Sequence, residues 1–341
     1  LMVELAIGLK VNTLTVVAKD IRRTPVFPLR RAPFNTEWFG QNSHDRGIYE
    51  LRNKFGGKGF ILGHSFYGFT DRFWAKNPER PEIFEGERHD YFAQGYTNGP
   101  YDVWIPGCPP QPCLTSTGFI AQVVKDAREF FDGKGLKYRS EGNGDMYGLG
   151  MNDNNYYCRC ADCMKLRKGY EHDKGGCFNT DEASLLYWTF VKKVAEEVKK
   201  THPDKLIVGY AYFDVAVYPE GLELPDNVGV SYAYFDRVPS GKPGQDLAQY
   251  KEWAKRLKGR IPSVWLYPTF PKETSDGGKW NCFWAMHGHH LAQTMRMLAD
   301  DGVGGVMVCG GGELVDQWLY AKLYDDPYQD VDALLTDFFT K

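Results

Sequence analysis

The chain has 341 residues, a formal net charge of −3 and a hydrophobic content of 43%, which is enough for one large domain or two ordinary ones. Because the charge is close to neutral, nothing in it favours nucleic acid or an anionic membrane as a partner. No run reaches the roughly 18 consecutive apolar residues that a membrane span requires.

Residues 1–24 lie outside the repeating pattern that follows and are expected to be a linker or the tail of a preceding domain. Eight short apolar runs, several rich in Val, Ile and Tyr, are predicted as strands from there on. In chain order they are Pro25–Arg31, Gly59–His64, a weaker one at Gln111–Leu114, Met146–Met151, Leu206–Tyr212, Val228–Tyr234, Ser263–Tyr267 and Val303–Val308.

Amphipathic stretches lie between most of these strands. The clearest, Glu182–Lys200, places apolar residues on one face and is predicted to begin with a capping box formed by Asn179 and Glu182. Strands that alternate with helices favour a parallel sheet covered by helices. Eight such units predict an α/β fold of the (β/α)₈ TIM barrel type over residues 25–341, with a doubly wound open sheet as the alternative.

Acidic residues follow three of the predicted strands, at the ends where α/β barrels carry their chemistry. Asp153 follows the fourth strand, Asp236 the sixth and Glu313 the eighth. Facing carboxylates suit glycoside hydrolysis, in which one protonates the leaving oxygen and the other activates water or attacks the anomeric carbon. These three are therefore the candidate catalytic residues. Their alternatives are a turn cap, a surface ion pair and a solvated loop acid, respectively.

Aromatic and polar residues at the other strand ends could bind a sugar, since aromatic rings stack on the apolar faces of pyranosides. An Arg fork would also bond both oxygens of a sugar carboxylate. The candidate substrate-binding residues are Arg31, Trp38, His64, Asn152, Tyr212, Tyr234 and Trp265.

Most of the eight cysteines are clustered rather than scattered. Cys158, Cys160 and Cys163 give a C-x-C-x₂-C spacing, and Cys177 follows fourteen positions later. Four thiolates can close a structural zinc site, and disulfides are the alternative. Cys113 and Cys108 flank a proline-rich loop that a disulfide could close. No cofactor is expected for catalysis.

Several motifs together resemble a known bacterial family, the one designated domain of unknown function 4838. The motifs are Pro25-Val26-Phe27 with Arg30, Gly63-His64-Ser65, Cys113-Leu114-Thr115, Asn152-Asp153-Asn154 with the three cysteines that follow it, His202-Pro203-Asp204, Ala211-Tyr212, Asp326-Pro327, Asp330-Val331-Asp332 and Leu335. The resemblance runs from about Arg22 onward, and its most specific part is the Asn-Asp pair with the cysteine block.

This resemblance implies a barrel related in architecture to α-glucuronidases and β-hexosaminidases, preceded by an N-terminal α/β domain that this chain lacks. It also implies a secreted or periplasmic protein of polysaccharide-degrading bacteria. In the related glycosidases a key acid follows the fourth strand, so the matching position is Asp153, although the family acid is usually Glu.

The function expected from these features is that of a glycoside hydrolase acting on oligo- or polysaccharides, with uronic-acid-containing sugars among the candidates. The alternatives are a glycan-binding barrel without catalysis and a polysaccharide lyase in which His64 or a tyrosine takes a proton. The sequence gives neither the sugar nor the oligomeric state.

Overall fold

The computed structural model describes residues 24–31, 47–48, 50–51, 53–95, 110–167, 179–235, 244–267, 288–309 and 314–340. They belong to two compact units. The central unit comprises the described residues of Phe60–Tyr234 and Gly244–Ser263, and the terminal unit those of Leu1–Gly59, Phe235–Pro243 and Val264–Lys341. Among the described residues, no helix is long and apolar enough to cross a membrane.

Strands and helices are numbered here in chain order. The strands are β1 (Leu29–Arg31), β2 (Gly56–Gly57), β3 (Glu141–Asn143), β4 (Met146–Leu149), β5 (Leu206–Ala211), β6 (Val228–Tyr234), β7 (Ser263–Leu266) and β8 (Gly305–Val308). The helices are α1 (Tyr67–Phe73), α2 (Thr117–Glu129), α3 (Ala161–Lys165), α4 (Ser184–Lys199), α5 (Gly244–Leu257), α6 (Gly288–Asp300), α7 (Leu314–Asp325) and α8 (Val331–Thr340).

Both units combine parallel and antiparallel strand pairs, so the α/β class is confirmed with a mixed arrangement of strands. In the central unit β4, β5 and β6 are parallel neighbours, and β3 pairs antiparallel with β4. In the terminal unit β8 pairs in parallel with both β7 and β1, whereas β2 is antiparallel to β1.

Two predicted strands are not strands, and each has a physical reason. Gly59–His64 forms no backbone ladder, because side chains of Ser65 and Glu141 take the hydrogen bonds that a ladder would use. Gln111–Leu114 contributes a single bridge between Pro112 and Phe92. The pairing stops there because the chain turns at residues 114–115, where the Ser116 N–H donates to the Cys113 carbonyl at 3.0 Å.

Helix α4 confirms the clearest helical prediction and builds much of the central core. Its buried face includes Trp188, whose ring covers Gly209 of β5 and contacts Trp253 of α5 with ring centroids 4.5 Å apart. The predicted capping box is wrong, since the N-cap is Ala183. Asn179 instead accepts a hydrogen bond from the Phe213 backbone N–H and donates to the Ala233 carbonyl, linking the segments that follow β5 and end β6.

Helix α1 is held to α2 by a buried ion cluster. Arg72, which is 1% exposed, donates to both carboxylate oxygens of Asp126 on α2, and its Nε donates to Glu85 at 2.7 Å. Bidentate geometry of this kind is directional as well as strong. It fixes α1, which carries Tyr67, relative to the rest of the central unit.

The chain from Gly63 to Phe66 runs unusually close to the end of β4. Ser65 Oγ accepts from the Gly150 N–H at 2.8 Å and donates to the Gly148 carbonyl at 3.1 Å, and the Phe66 N–H donates to the Gly150 carbonyl at 2.7 Å. A Cβ on Gly150 would overlap the Gly63 carbonyl oxygen. Glycine at position 150 therefore allows the approach that brings His64 to the end of β4.

Replacing Gly150 with Ala should destabilise the protein by at least about 2 kcal/mol, because the added methyl has no room without a backbone shift. Gly144→Ala is the matched control, since a Cβ there meets nothing within 4 Å, and it should change the free energy of unfolding by less than about 0.5 kcal/mol. Urea denaturation measures both. Equal stabilities of the two variants would contradict the packing described here.

Candidate functional site

The candidate site lies where β4 ends, in the segment Gly150–Asn154. Asp153 is its most exposed acid, with a side chain that is 56% accessible. Its backbone N–H donates to Tyr67 Oη at 3.1 Å, and its carboxylate Oδ1 accepts from Tyr212 Oη at 3.1 Å. Tyr67 comes from α1 and Tyr212 follows β5, so two separate elements position one carboxylate.

His64 lies next to this carboxylate. Its Nδ1 is 2.7 Å from the Met151 carbonyl oxygen, which can only accept, so Nδ1 carries the proton of the neutral ring. The other ring nitrogen, Nε2, is 3.8 Å from Asp153 Oδ1. A neutral His64 thus presents an acceptor nitrogen toward the acid, and a protonated one forms an ion pair with it.

Two stacked tyrosines complete the surroundings of His64. Tyr210 and Tyr212 are two positions apart at the end of β5, and their rings are stacked 5.1 Å apart with an interplanar angle of 7°. The His64 ring packs edge-on against both, at centroid distances of 5.8 and 5.7 Å. Tyr210 is fully buried, so Tyr212 is the member of the pair that faces the acid.

Helix α4 aligns this pair through a buried phenol. Tyr187 Oη donates to the Leu149 carbonyl at the end of β4 and accepts from the Tyr210 N–H at 2.7 Å. Complete burial raises the pKa of Tyr187, so the phenol stays protonated. It bridges the ends of β4 and β5 just beyond their last ladder pair, Leu149 with Gly209.

The backbone on both sides of Asp153 is held by the amide of Gln111, which is 1% exposed. Gln111 Nε2 donates to the carbonyls of Asn152 at 2.6 Å and Asn154 at 2.8 Å, while Oε1 accepts from the Asn152 N–H at 3.0 Å. The Asn152 side chain is fully buried and donates to the Pro110 carbonyl at 3.0 Å. Asn152 therefore helps to hold the loop, and its role in substrate binding stays a prediction.

Four cysteine thiols gather beside this loop. The sulfur atoms of Cys113, Cys158, Cys160 and Cys163 all lie within 4.8 Å of one another and could hold a metal ion. All four thiols are free. Cys113 Sγ lies 3.8 Å from Cys163 Sγ and 3.9 Å from Cys160 Sγ, almost twice the length of a disulfide bond.

Polar groups surround the sulfurs as they do in thiolate metal sites. The backbone N–H groups of Gln94 and Cys160 both lie 3.4 Å from Cys158 Sγ and donate to it. Thr115 Oγ1 lies 3.1 Å from Cys163 Sγ. Cys163 is within α3 and Cys160 is its N-cap, so this short helix sets the spacing of two of the thiols.

Ionisation of Cys113 opposes that of its neighbours Cys158 and Cys163. Hydrogen bonds from Cys158 and Cys163 hold the pKa of Cys113 well below its ordinary value. The resulting thiolate, together with burial, raises the pKa of Cys158 and of Cys163. A bound cation would remove this competition, because a coordinating thiol is deprotonated outright.

Of the remaining predicted site residues, three lie in strands and four lie outside the described residues. Arg31 ends β1 and is exposed, Trp265 lies in β7 stacked 6.4 Å from Tyr267, and Tyr234 ends β6 and is buried. The other four lie outside the described residues: Trp38, Cys177, Asp236 and Glu313.

Sequence reasoning missed Gln111, Tyr67 and the membership of Cys113 in the thiol cluster. The sequence predicts a disulfide between Cys113 and Cys108, which lies outside the described residues, but the Cys113 thiol is free and lies in the cluster. The signal that could have indicated its role is the count of four, since C-x-C-x₂-C supplies only three thiols. No local pattern marks Gln111 or Tyr67, because both act across about 40 or more positions of the chain.

A second acid near the end of β5, Asp214, is fully buried. Thr180 Oγ1 donates to its Oδ1 at 3.0 Å, and no described residue bonds its Oδ2. Burial, with a smaller contribution from the Glu182 carboxylate, raises the pKa of Asp214 to about 6. Its surroundings thus favour the neutral acid below about pH 6.

Because the pKa of Asp214 in the folded protein lies above the usual 3.8, its protonated form contributes stability below that pH, and this stability is lost as pH rises through about 6. The difference corresponds to about 3 kcal/mol. Asp214→Asn, which cannot ionise, should therefore gain stability relative to wild type between pH 4 and pH 7.

Urea denaturation at several pH values tests this expectation. Asp226→Asn, at an exposed acid that pairs with Lys199, is the control and should show no such gain. A pH-independent difference between wild type and Asp214→Asn would contradict the raised pKa.

Comparison with known proteins gives one family match. Residues 6–341 match the family described as a domain of unknown function, DUF4838. No curated protein matches the chain. The resemblance inferred from the motifs is confirmed, and the chain belongs to the DUF4838 family.

Proposed function

We propose that this protein is a glycoside hydrolase acting on oligo- or polysaccharides, with Asp153 as its general acid or base. The observation that carries the proposal is the half-exposed Asp153 carboxylate at the end of β4, bonded to Tyr212 and 3.8 Å from the imidazole of His64. An accessible acid with fixed partners can exchange a proton with a bound sugar.

Each neighbour of Asp153 has a separate role in this proposal. Tyr212 holds the carboxylate Oδ1, so the other oxygen is oriented toward a glycosidic oxygen. His64 Nε2, 3.8 Å from the same oxygen, places an imidazole beside the acid. The negative charge of the ionised acid also stabilises an oxocarbenium-like transition state. Asp236 and Glu313 remain the candidates for the second carboxylate.

We also propose that the strands belong to a (β/α)₈ barrel. Its support is the parallel pairing of the first strand, β1, with the last, β8, because the first and last strands are neighbours in a closed ring of strands. The consecutive neighbours β4, β5 and β6 fit the same order. Asp153 and Tyr212 then follow the carboxyl ends of adjacent strands, as barrel active-site residues do.

A polysaccharide lyase is the second candidate, and His64 is the observation that favours it. With Nδ1 protonated and bonded to Met151, the unprotonated Nε2 is able to accept a proton from a carbon next to a uronate carboxylate. A lyase product carries a new double bond that absorbs ultraviolet light, and a hydrolase product does not. Absorbance during turnover therefore separates the two reactions.

We further propose that the cysteine cluster holds a structural Zn²⁺. In a tetrahedral site with Zn–S bonds of about 2.3 Å, neighbouring sulfurs lie about 3.8 Å apart. The 3.8 and 3.9 Å separations from Cys113 fit this geometry. Four thiolates leave no open position for substrate or water, so such an ion would support the fold and not the chemistry.

Asp153→Asn should lower kcat/KM by about 10²- to 10⁴-fold on whichever member of a panel of aryl glycosides and plant or algal oligosaccharides the wild type cleaves. Tyr212→Phe, which loses one hydrogen bond to the carboxylate, should lower it by about tenfold. Asp226→Asn is the control and should leave the rate unchanged.

Equal turnover by wild type and Asp153→Asn would show that Asp153 is not the catalytic acid. Tight oligosaccharide binding without any product would instead identify a glycan-binding protein, and the hydrolase proposal would be wrong.

Protein purified under reducing conditions should contain one zinc per chain by elemental analysis. Cys113→Ser should lose the metal, whereas Cys177→Ser and Cys309→Ser should keep it, because four other thiols already complete the site. Replacement by Co²⁺ should give thiolate charge-transfer absorption. A metal-free wild type that takes up neither ion, or metal loss in Cys177→Ser alone, would contradict this assignment.

A further inference from the structure

We propose that an ion held by Cys113, Cys158, Cys160 and Cys163 fixes the position of Asp153 through Gln111, so that metal content controls a site to which the metal contributes no ligand. The consequence for catalysis rests on the proposed hydrolase function. The effect on the position of the loop does not.

Gln111 is the first link, because all of its amide hydrogen-bonding groups serve one loop. Its two N–H groups and its carbonyl oxygen bond the backbone of Asn152 and Asn154 on either side of Asp153. None of these hydrogen bonds reaches the Asp153 side chain. Gln111 is therefore a positioning residue for Asp153, not a catalytic one.

The second link is the short segment that joins Gln111 to Cys113. The Ala93 N–H donates to the Gln111 carbonyl at 3.0 Å, and the Cys113 N–H donates to the Tyr91 carbonyl at 2.7 Å. Pro112 lies between them and has a restricted φ. The amide that holds the Asp153 loop and the first thiol of the cluster thus move together.

The third link is the segment from Asn152 to Cys158 itself. This segment, residues 152–158, is bonded to the Gln111 side-chain amide at its first residue and ends at Cys158. Between these two points the backbone N–H of Gln111 donates to the Tyr156 carbonyl at 3.3 Å. An ion bound to both Cys113 and Cys158 would tie the far end of this loop to the segment that holds its start. Without it, hydrogen bonds still hold the far end, from the Arg159 N–H to the Gln94 carbonyl at 2.8 Å and from the Gln94 N–H to Cys158 Sγ at 3.4 Å, but only weak thiol contacts link the sulfur of Cys113 to the rest of the cluster.

Hydrogen exchange measured by mass spectrometry tests the position of the loop without any substrate. Chelation of zinc under reducing conditions should make amides of residues 152–158 exchange about tenfold faster or more, while those of β6 remain protected, and added Zn²⁺ should restore the slow exchange. Unchanged exchange in the loop after complete removal of the metal would overturn the proposal.

A variant that keeps the metal tests the Gln111 link on its own. Gln111→Glu preserves shape but loses the paired donors to Asn152 and Asn154, so exchange in residues 152–158 should quicken with zinc still at one per chain. The matched control is Asn227→Asp, which alters another buried amide, bonded to the Ala195 carbonyl, at the opposite end of the parallel strands. The control should leave the loop unchanged.

Normal loop exchange in zinc-loaded Gln111→Glu would overturn the proposal, and this arm decides the question if the metal-free protein unfolds throughout. For a substrate that the wild type cleaves, Gln111→Glu should lower kcat by about 100-fold with little change in KM, as expected when a catalytic group is displaced by about 1 Å. If the wild type cleaves nothing, the proposed function fails, while the exchange results still decide the link between metal and loop.

Discussion

Buried backbone must find hydrogen-bond partners, and β4 loses its neighbours at Leu149. From there onward side chains replace the ladder. Tyr187 bonds the Leu149 carbonyl, Ser65 the Gly150 N–H and His64 the Met151 carbonyl, and Gln111 bonds the backbone of Asn152. Each partner comes from a different part of the central unit. The position of Asp153 depends on this series of substitutions for strand pairing.

The same bonds that satisfy the backbone also set the chemistry. His64 bonds the Met151 carbonyl through Nδ1 and presents Nε2 toward Asp153, so this contact serves both the path of the chain and the tautomer of the ring. Tyr187 aligns Leu149 with Tyr210, whose ring stacks on Tyr212. In the central unit, the hydrogen bonds that hold the fold are therefore the same ones that orient the candidate site residues.

Local sequence pattern was enough to predict the elements whose structure depends on residues close together in the chain. The apolar face of α4, the Val- and Tyr-rich runs of β5 and β6, and the polar group after β4 could all be read directly. The capping box, the second and third strands and the fourth thiol could not, because Asn179, Ser65 and Cys113 bond partners far away in the chain. Gln111 gave no signal, since a single buried amide has no period or spacing.

The loop from Asn152 to Cys158 is gripped by Gln111 at one end and by the thiol cluster at the other. Between these two points the chain is folded into turns, with the Asn154 N–H bonded to the Asn152 carbonyl and the Tyr157 N–H bonded to the Asn155 carbonyl. An inserted or deleted residue there would disturb these turns, and with them the position of Asp153 beside Tyr212 or that of a sulfur in the cluster. Homologous chains that retain both features should therefore preserve the number of residues separating them, even where the identities of those residues drift.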